Sequence, residues 1–478
     1  MRAATTKAAT MRAAAMAAWL LLAAFAATAQ ERYPVDWQKL EPEILERFTT
    51  LLRIDTSNPP GNETRAAKVI QAMLEREGIA VRLFASEPNR ANLVARIKGN
   101  GTRRPILLMG HTDVVGVQRE RWTVDPFEAV RKGNVIYARG ANDDKDHVTA
   151  GIMILLLLQR MHVKLDRDVI FLAEAGEEGS LSLGIDYMVR EHWPEIAAEF
   201  ALAEGGGIME SGGKVQDVIV ATTEKVPRRL RLVAHGPSGH GSRPIPRNAV
   251  VHLAAAVERA GTWQTPMRLN ETTRTYFERL AAISPPEAAA RYRDILIPGR
   301  ASQVDRYFYE HEPGHYSILR TSVVPTMMQA GFRQNVIPSE AEATLDIRAL
   351  PDEDMTKFAA DLKRVINDPA VEIVPPASAE ARPAAPPSRL DSEMFHALET
   401  VGRRMFNAPT LPSMMTGATD NAELRARGVQ AYGVGEVVDA AEGPLAGAHS
   451  DDEHISIHAL TTLIEYMWNA VVEVAASR

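Results

Sequence analysis

Residues 106–113 read ILLMGHTD, a short apolar run followed at once by a histidine and an aspartate. An unbroken apolar run is typical of a strand that is buried on both faces of a sheet. Since alternate residues of an extended chain point to the same side, His111 and Asp113 can reach one site at the carboxyl end of that strand. A histidine that binds a metal needs a carboxylate or a carbonyl on its other ring nitrogen, and Asp113 could supply it.

Further carboxylates follow turns and strands in the same half of the chain. Asp143 lies between a glycine turn and an apolar helix, where the alternative is a helix N-cap. Glu177 and Glu178 follow the strand predicted at residues 169–173, where the alternative is a solvated loop. Two adjacent carboxylates repel each other unless a cation or a proton lies between them.

Two more groups complete this pattern. Glu204 follows the strand predicted at residues 200–203, and His449 lies far along the chain in a segment that returns to the first domain. Because the carboxyl ends of parallel strands meet at one edge of a sheet, we expect these side chains to converge. Histidines and carboxylates without a thiol suit a pair of zinc-like ions bridged by one carboxylate.

The composition restricts the chemistry further. The 478 residues include 13 histidines and no cysteine, and the net charge is −7. Without thiols there is no disulfide, cysteine nucleophile or iron–sulfur cluster, so any metal must be held by His, Asp and Glu. The acidic balance makes a nucleic-acid partner unfavourable.

The N-terminus has the pattern of a targeting segment. Residues 1–29 carry three basic and no acidic residues, an apolar run at 13–27, and a final Ala-Thr-Ala of the kind that a signal peptidase cleaves. The alternative is a membrane anchor, but the run is short and rich in alanine. We expect a periplasmic or secreted protein that is not held in the membrane after cleavage.

Hydrophobic periodicity predicts the secondary structure. We expect helices at residues 36–52, 62–77, 147–161, 182–192, 248–260, 352–366, 394–405 and 456–472. We expect strands at residues 80–84, 92–97, 106–109, 169–173, 200–203, 229–234, 317–321, 327–331 and 343–348.

The order of these elements predicts two domains. Alternating strands and helices before residue 226 indicate an α/β fold with a largely parallel sheet. Half-exposed strands after that residue indicate an inserted α+β domain whose sheet has one buried face. A segment rich in Pro and Ala at 377–388 is the predicted linker back to the first domain. We assign a signal peptide to 1–29, the catalytic domain to 30–226 and 377–478, and the inserted domain to 227–376.

Seven motifs, in order along nearly all of the mature chain, resemble those of the M20 family of dinuclear zinc peptidases and amidohydrolases. They are MGHTDVV (109–115), RGANDDK (139–145), EAGEEGS (174–180), AEGG (203–206), GHGS (239–242), NVIP (335–338) and AH (448–449). The resemblance implies a zinc-peptidase-type α/β catalytic domain with an inserted ferredoxin-like domain that acts in dimerisation and as a lid.

The resemblance also implies a ligand set. Two zinc ions per chain, with Co²⁺ or Mn²⁺ as alternatives, would be bridged by Asp143. His111 and Glu204 would complete one ion's site, and Glu178 and His449 the other's.

The remaining roles follow from the same resemblance. Glu177 would be the general acid and base, with Asp113 supporting His111. His240 of the inserted domain would reach the active site of the partner in a homodimer and polarise the scissile carbonyl. Arg348 would bind the substrate carboxylate. Asn335 and Gly417 match two further substrate-contact positions.

The activity implied is that of an exported zinc-dependent hydrolase of peptide or N-acyl amino acid amide bonds, of carboxypeptidase or dipeptidase type. An aminoacylase-type deacylase is an alternative, and a non-catalytic metal-binding relative is a further one. The substrate would be a small peptide or an N-acyl amino acid.

One feature departs from the family pattern, and one stretch imitates a different zinc motif. Asp146 and His147 follow Lys145, where the family has Gly, and Asp146 either acts on the site or caps the helix. Residues 311–315 read HEPGH and match a zinc motif that works only on a helix, and Pro-Gly predicts that no helix runs through it.

Overall fold

The structure is a computed structural model that describes residues 32–375, 382–439 and 447–477. The predicted signal peptide at 1–29 and the first part of the segment at 377–388 lie outside the described residues. The chain divides into two units, Met1–Lys39 and Leu40–Arg478, and the second contains all the strands of the described residues. Within the described ranges, no helix is both long and apolar enough to cross a membrane.

The helices and strands have the following bounds. In chain order the helices are α1 (Trp37–Leu52), α2 (Glu63–Glu75), α3 (Lys145–Arg160), α4 (Ile185–Glu191), α5 (Trp193–Ile196), α6 (Ala249–Gly261), α7 (Glu271–Ile283), α8 (Pro286–Asp294), α9 (Ala301–His311), α10 (Pro313–Ile318), α11 (Met355–Ile366), α12 (Glu393–Phe406), α13 (Asn421–Ala426) and α14 (Ile457–Ala475). The strands are β1 (Ser57–Asn58), β2 (Val81–Phe84), β3 (Asn92–Ile97), β4 (Ile106–His111), β5 (Val114–Val115), β6 (Val130–Lys132), β7 (Val135–Tyr137), β8 (Val169–Glu174), β9 (Phe200–Ala203), β10 (Gly207–Ser211), β11 (Lys214–Glu224), β12 (Val226–His235), β13 (Gly239–His240), β14 (Ser322–Ala330), β15 (Val336–Ile337), β16 (Glu340–Ala349), β17 (Val371–Val374), β18 (Thr410–Met415), β19 (Gln430–Gly433), β20 (Val437–Asp439) and β21 (His454–Ser456).

The larger sheet has ten strands in the described part of the chain, in the order β2-β3-β8-β4-β9-β19-β11-β10-β20, with β18 also paired to β11. Strands β8, β4, β9 and β19 are parallel to one another. Strands β2, β3 and β8 are joined antiparallel, as are β10 and β11. The prediction of a largely parallel sheet is therefore confirmed for the centre. The margin with β2 and β3 is antiparallel, and the other margin is mixed, since β20 is parallel to β10 and β18 is parallel to β11.

Both faces of the central strand are covered. All six residues of β4 are buried, and α3 packs against β4, β8 and α14. On one face Leu107 and Met109 join a core cluster with Ile185 and Met188 of α4. The apolar run at residues 106–109 is continuous because neither face meets water.

The second sheet has four antiparallel strands in the order β14-β16-β12-β17. Helices α6 and α11 pack on one face of it, around Leu232, Leu253, Leu345 and Leu362. Without the short strands β13 and β15 and the helices α7–α10, the chain order is β12-α6-β14-β16-α11-β17, which is the predicted ferredoxin-like arrangement. The boundaries assigned to the domains stay predictions.

Three local predictions are wrong. Residues 317–321 are not a strand: α10 runs to Ile318, and the side-chain ammonium of Lys225 donates to the carbonyl of Ser317 (2.8 Å), which satisfies the end of that helix. The helix predicted at 182–192 begins only at Ile185, because Gly184 is non-helical and lies too close to the backbone of Ala175 for any side chain. Helices α7–α10 were not predicted at all, and they close around an aromatic cluster that includes Phe277 and Phe308.

Candidate metal centre

The carboxyl ends of the central strands bring the predicted ligands together. His111 ends β4, directly beside Glu174 at the end of β8, and Glu204 follows β9. Ligand atoms of His111, Asp143 and Glu178 lie within 4.8 Å of one another, and so do those of His111, Glu177 and Glu204.

Asp143 lies between two histidines. Its Oδ1 is 3.0 Å from Nε2 of His111, and its Oδ2 is 3.0 Å from Nε2 of His449. The same nitrogen of His449 lies 2.8 Å from Oε1 of Glu178. The structure thus places the carboxylate of Asp143 between the two predicted histidine ligands.

The protons on His111 test whether a cation fits here. Nδ1 of His111 lies 3.0 Å from the backbone carbonyl oxygen of Asp113, which can only accept, so Nδ1 carries the proton. The contact of Nε2 with an oxygen of Asp143 then needs a positive centre between the two atoms, either a proton or a metal ion. A divalent metal with nitrogen and carboxylate ligands fits this set.

The electrostatics agree with this conclusion. Hydrogen bonds with Asp143 and Glu178 raise the pKa of His449 to about 10. Burial raises the pKa of the Asp143 carboxyl, but its bonds with His111 and His449 outweigh burial and hold that pKa below its usual range. Burial also raises the pKa of Glu204 well above its usual value. A positive charge at the centre of this cluster is therefore favoured.

Asp113 makes two kinds of contact at the centre, and the sequence predicted only the one with His111. Its backbone carbonyl, rather than its carboxylate, accepts the bond from His111, since the nearest carboxylate oxygen is 3.6 Å away. The carboxylate instead accepts the backbone amides of Glu177 and Glu178, each at 3.1 Å. Asp113 therefore fixes the loop that carries the predicted general base.

A buried ion pair fixes the loop that carries Asp143. Gly140 has a φ of 84°, which places the chain in the left-handed region before the aspartate. Nη1 of Arg139 donates to Oε2 of Glu453 (2.5 Å), and Oε1 of Glu453 accepts the amide of Asn142 (3.0 Å). This pair ties the first half of the chain to the returning segment.

Glu177 has a partner that the sequence analysis missed. The guanidinium of Arg382 contacts Oε1 of Glu177 and, at 2.5 Å, Oδ1 of Asp420. Burial raises the pKa of Glu177 to about 8, although Arg382 works in the opposite direction. The sequence signal was a single basic residue within the segment rich in Pro and Ala.

A cavity of about 2360 Å³ lies beside this cluster. Arg348 and Gly417 line it, and Arg348 is paired with Asp346 on the same strand (3.0 Å). His240 and Asn335 are not among its lining residues. They lie together on the β13–β15 ribbon, where the amide of Gly241 donates to the carbonyl of Asn335 (2.9 Å).

The structure shows where Asp146 and the HEPGH stretch lie relative to helices. Asp144 is the N-cap residue of α3 but makes no capping bond, and Asp146 lies inside the helix, where its Oδ1 accepts the amide of His147 (2.8 Å). Asp146 therefore satisfies one amide of the first turn without being the cap. In the HEPGH stretch, α9 ends at His311 and α10 begins at Pro313, so the predicted break is confirmed.

Comparison with known proteins identifies the family. Residues 107–473 match peptidase family M20/M25/M40. Over 281 residues, 56% of this chain and 54% of the other, the chain is 31% identical to the human N-fatty-acyl-amino acid synthase/hydrolase PM20D1. It is 27% identical to human aminoacylase-1 over 81% of this chain and 85% of that protein.

A solved structure shows the same fold. The crystal structure of the M20 family metallo-carboxypeptidase Sso-CP2 from Sulfolobus solfataricus superposes with a TM-score of 0.67 at 19% identity, covering 90% of this chain and 98% of that one. The family match spans most of the described residues, including every predicted metal ligand. The chain therefore belongs to peptidase family M20/M25/M40, whose members are metal-dependent hydrolases.

Proposed function

We propose that this protein is an exported hydrolase that uses two metal ions to cleave the amide bond of small peptides, as a carboxypeptidase or dipeptidase does. The observation that carries the proposal is the carboxylate of Glu177, which lies beside the Asp143 cluster at a large cavity. An aminoacylase-type reaction on N-acyl amino acids is the second candidate. The names of the human relatives, an N-fatty-acyl-amino acid synthase/hydrolase and an aminoacylase, favour it.

The ligands assigned to the two ions are those that the resemblance implied. His111 and Glu204 would hold one ion, Glu178 and His449 the other, and Asp143 both, and we propose Zn²⁺ as the metal. When bound, such ions polarise a carbonyl and bring the pKa of a bound water towards about 7.

The side chains of this protein have separate tasks in the proposed reaction. Glu177 takes the proton of the attacking water and gives it to the leaving amine. Asp113 holds the loop that carries Glu177 in place. Arg348 on the cavity wall would bind the free carboxylate of the substrate, which requires it to leave or share Asp346.

We also propose a homodimer formed through the four-stranded sheet. β14 is an edge strand, and its side chains Val324, Met327 and Met328 are 52%, 57% and 49% exposed. An exposed apolar edge strand is a template for pairing with a second chain. Pairing of two copies would let His240, which does not line the cavity of its own chain, act at the site of the partner.

The proposed export rests on the predicted signal peptide. Edman sequencing of the secreted or periplasmic protein should begin near Gln30. An intact N-terminus at Met1 would contradict the export proposal while leaving the catalytic one in place.

The catalytic proposal is tested by product analysis. Mature, zinc-loaded protein is incubated with dipeptides, longer peptides and N-acyl amino acids, and the products are identified by mass spectrometry. Glu177→Gln, which keeps the size of the side chain and removes its basicity, is the blank and should lower turnover by at least about 10³-fold with two metals still bound.

The outcomes separate the candidates. Free amino acids released from peptides support the peptidase, and fatty or short acids released from N-acyl amino acids support the deacylase. Two bound metals without turnover of any substrate would contradict both. A Glu177→Gln variant as active as the wild type would remove Glu177 from the mechanism.

A further inference from the structure

The guanidinium of Arg382 joins two carboxylates, those of Glu177 and Asp420, and Arg382 and Glu177 line the cavity. Its Nη2 contacts Oε1 of Glu177, and its Nη1 lies 2.5 Å from Oδ1 of Asp420. The side chains of Arg382 and Glu177 are each 10% exposed, and that of Asp420 is 1% exposed. The three groups therefore form a buried chain that ends on the proposed general base.

The far end of this chain is rigid. The amide and hydroxyl of Thr419, next to Asp420, both donate to the carboxylate of Glu224, each at 2.9 Å. Arg425 of α13 donates to the same carboxylate at 2.9 Å, and all of these groups are buried. Asp420 is thus held by β11 and α13 rather than by a free loop.

The backbone of Arg382 is also held, and by the other sheet. Nη1 of Arg228, on β12, donates to the carbonyl oxygens of Arg382 (3.0 Å) and Pro227 (2.9 Å). Both the side chain and the main chain of Arg382 therefore have fixed partners, and the guanidinium is presented to Glu177 in one orientation.

This arrangement restricts the carboxylate of Glu177. The terminal torsion of a glutamate is broad, so an unheld carboxylate samples many orientations. Once Oε1 is held by Arg382, the plane of the carboxylate is set and Oε2 is the oxygen that remains for a proton. A base must lie within hydrogen-bond reach of the proton that it takes, so such fixing contributes directly to the rate.

We propose that Arg382, anchored by Asp420, is a positioning residue that holds one oxygen of Glu177 so that the other faces the metal centre. This inference rests on the proposed function of Glu177. Arg382 differs from Arg348, the residue assigned to the substrate carboxylate: Arg382 is 10% exposed and engaged by two protein carboxylates, whereas Arg348 is 36% exposed and paired with one.

The kinetic test uses Arg382→Gln, Arg382→Lys and Asp420→Asn. We expect Arg382→Gln to lower kcat by about 10- to 100-fold while KM changes less than about threefold and two metals remain bound. Arg382→Lys keeps the charge but cannot bridge both carboxylates, so it should recover only part of kcat. Asp420→Asn should also lower kcat. It provides a second test if the arginine variants do not fold.

Two further variants make the kinetic result specific. Arg389→Gln is the matched control, since Arg389 lies seven residues further along and forms an ion pair with Asp391 in which both side chains are about two thirds exposed. It should leave kcat unchanged. In a Glu177→Gln background, Arg382→Gln should have no further effect on the residual rate, because the two residues act as one unit. The proposal would be overturned if Arg382→Gln lowered kcat in that background by the same factor as in the wild type. A rise in KM with unchanged kcat would also overturn it.

A structural test does not depend on turnover. In crystal structures of the metal-loaded protein, the carboxylate of Glu177 should be ordered in the wild type and rotated or disordered in Arg382→Gln. An unmoved carboxylate would overturn the positioning role even if no substrate were known. An inactive wild type with a displaced carboxylate in the variant would instead contradict the proposed function and support the positioning.

Discussion

Two histidines show how a backbone partner sets the chemistry of a side chain. Nδ1 of His111 donates to a carbonyl oxygen, so its Nε2 has a lone pair for a cation. Nδ1 of His240 instead accepts the backbone amide of Ser242 at 3.1 Å, so its proton lies on Nε2. The first histidine is arranged as a ligand, and the second as a hydrogen-bond donor.

Replacement of His240 should therefore affect the rate without affecting the metal. His240→Ala should lower kcat by about 10²- to 10³-fold, as the loss of an oxyanion donor does, with two metals still bound. Steady-state kinetics and metal analysis measure both effects. If each site uses the His240 of the partner subunit, mixing His240→Ala with Glu177→Gln should restore part of the activity, and a mixture no more active than its components would contradict that arrangement.

At the scale of elements, the start of α3 places two carboxylates and an imidazole in buried positions near the metal centre. Asp144, Asp146 and His147 are 1%, 0% and 3% exposed. Oδ2 of Asp144 accepts the amide of His111 (3.0 Å), and its Oδ1 lies 2.7 Å from Nδ1 of His147. Burial lowers the pKa of His147, but the two carboxylates outweigh burial and raise it well above its usual value. The imidazolium compensates the negative charge of the helix start.

Removal of that imidazolium should destabilise the protein. His147→Ala leaves two buried carboxylates without their cation, which costs about 3–5 kcal/mol of the free energy of unfolding. Urea unfolding of the metal-loaded protein measures this. His396→Ala is the control, since His396 is 61% exposed and pairs only with Glu399 one turn away. If His147→Ala lowers the free energy of unfolding by less than about 1 kcal/mol, the carboxyls of Asp144 and Asp146 are protonated, and therefore neutral, in the variant.

At the scale of the whole molecule, ion pairs connect elements that are distant in sequence. Arg160, at the end of α3, forms a fork to both oxygens of Glu43 on α1, at 2.8 and 2.9 Å, and also contacts Glu77 at 2.6 Å. The hydrogen bond from Arg160 is the main reason that the pKa of Glu43 falls from its ordinary 4.5 to about 2. The carboxylate is therefore more stable in the folded than in the unfolded state.

This difference predicts the pH dependence of one variant. Because the pKa of Glu43 is lowered on folding, its contribution is fully present above about 4.5 and is lost as pH falls towards 2. Glu43→Gln should cost about 1–2 kcal/mol at pH 7, after allowance for solvent screening, and progressively less below pH 4.5. Thermal unfolding at several pH values measures the difference. A cost that does not change between pH 7 and pH 3.5 would contradict the assignment.

Assembly belongs to the same scale. If two copies pair through the edge of β14, a charge in the strand should separate them, and Met327→Lys should give a monomer by light scattering. Ile297→Lys is the control, since Ile297 is an equally apolar residue, 43% exposed, outside the four-stranded sheet. A wild type that is already monomeric, or a dimeric Met327→Lys, would contradict this interface.

The centre of the fold and a set of candidate metal ligands follow from the sequence alone. The run at 106–109, the strands at 169–173 and 200–203 and the buried helix α3 are local patterns, because burial on both faces leaves the same apolar signature wherever the strand lies. His111, Asp143 and Glu178 were found for a similar reason, since each lies within a short motif beside a strand end. Residues 317–321 and helices α7–α10 were missed because their stability depends on the aromatic cluster that they form together.

The surroundings of these residues depend on how the whole chain packs. Arg382 reaches Glu177 across more than two hundred residues of chain, and Asp113 turns its carboxylate to the Glu177 loop rather than to His111. No local pattern carries such contacts, because an isolated basic or acidic residue in a loop has the same sequence signal whether it is solvated or buried against a partner. Motifs specify which groups can do chemistry, whereas the packing of two sheets and a returning segment specifies their orientation, their charge and their partners.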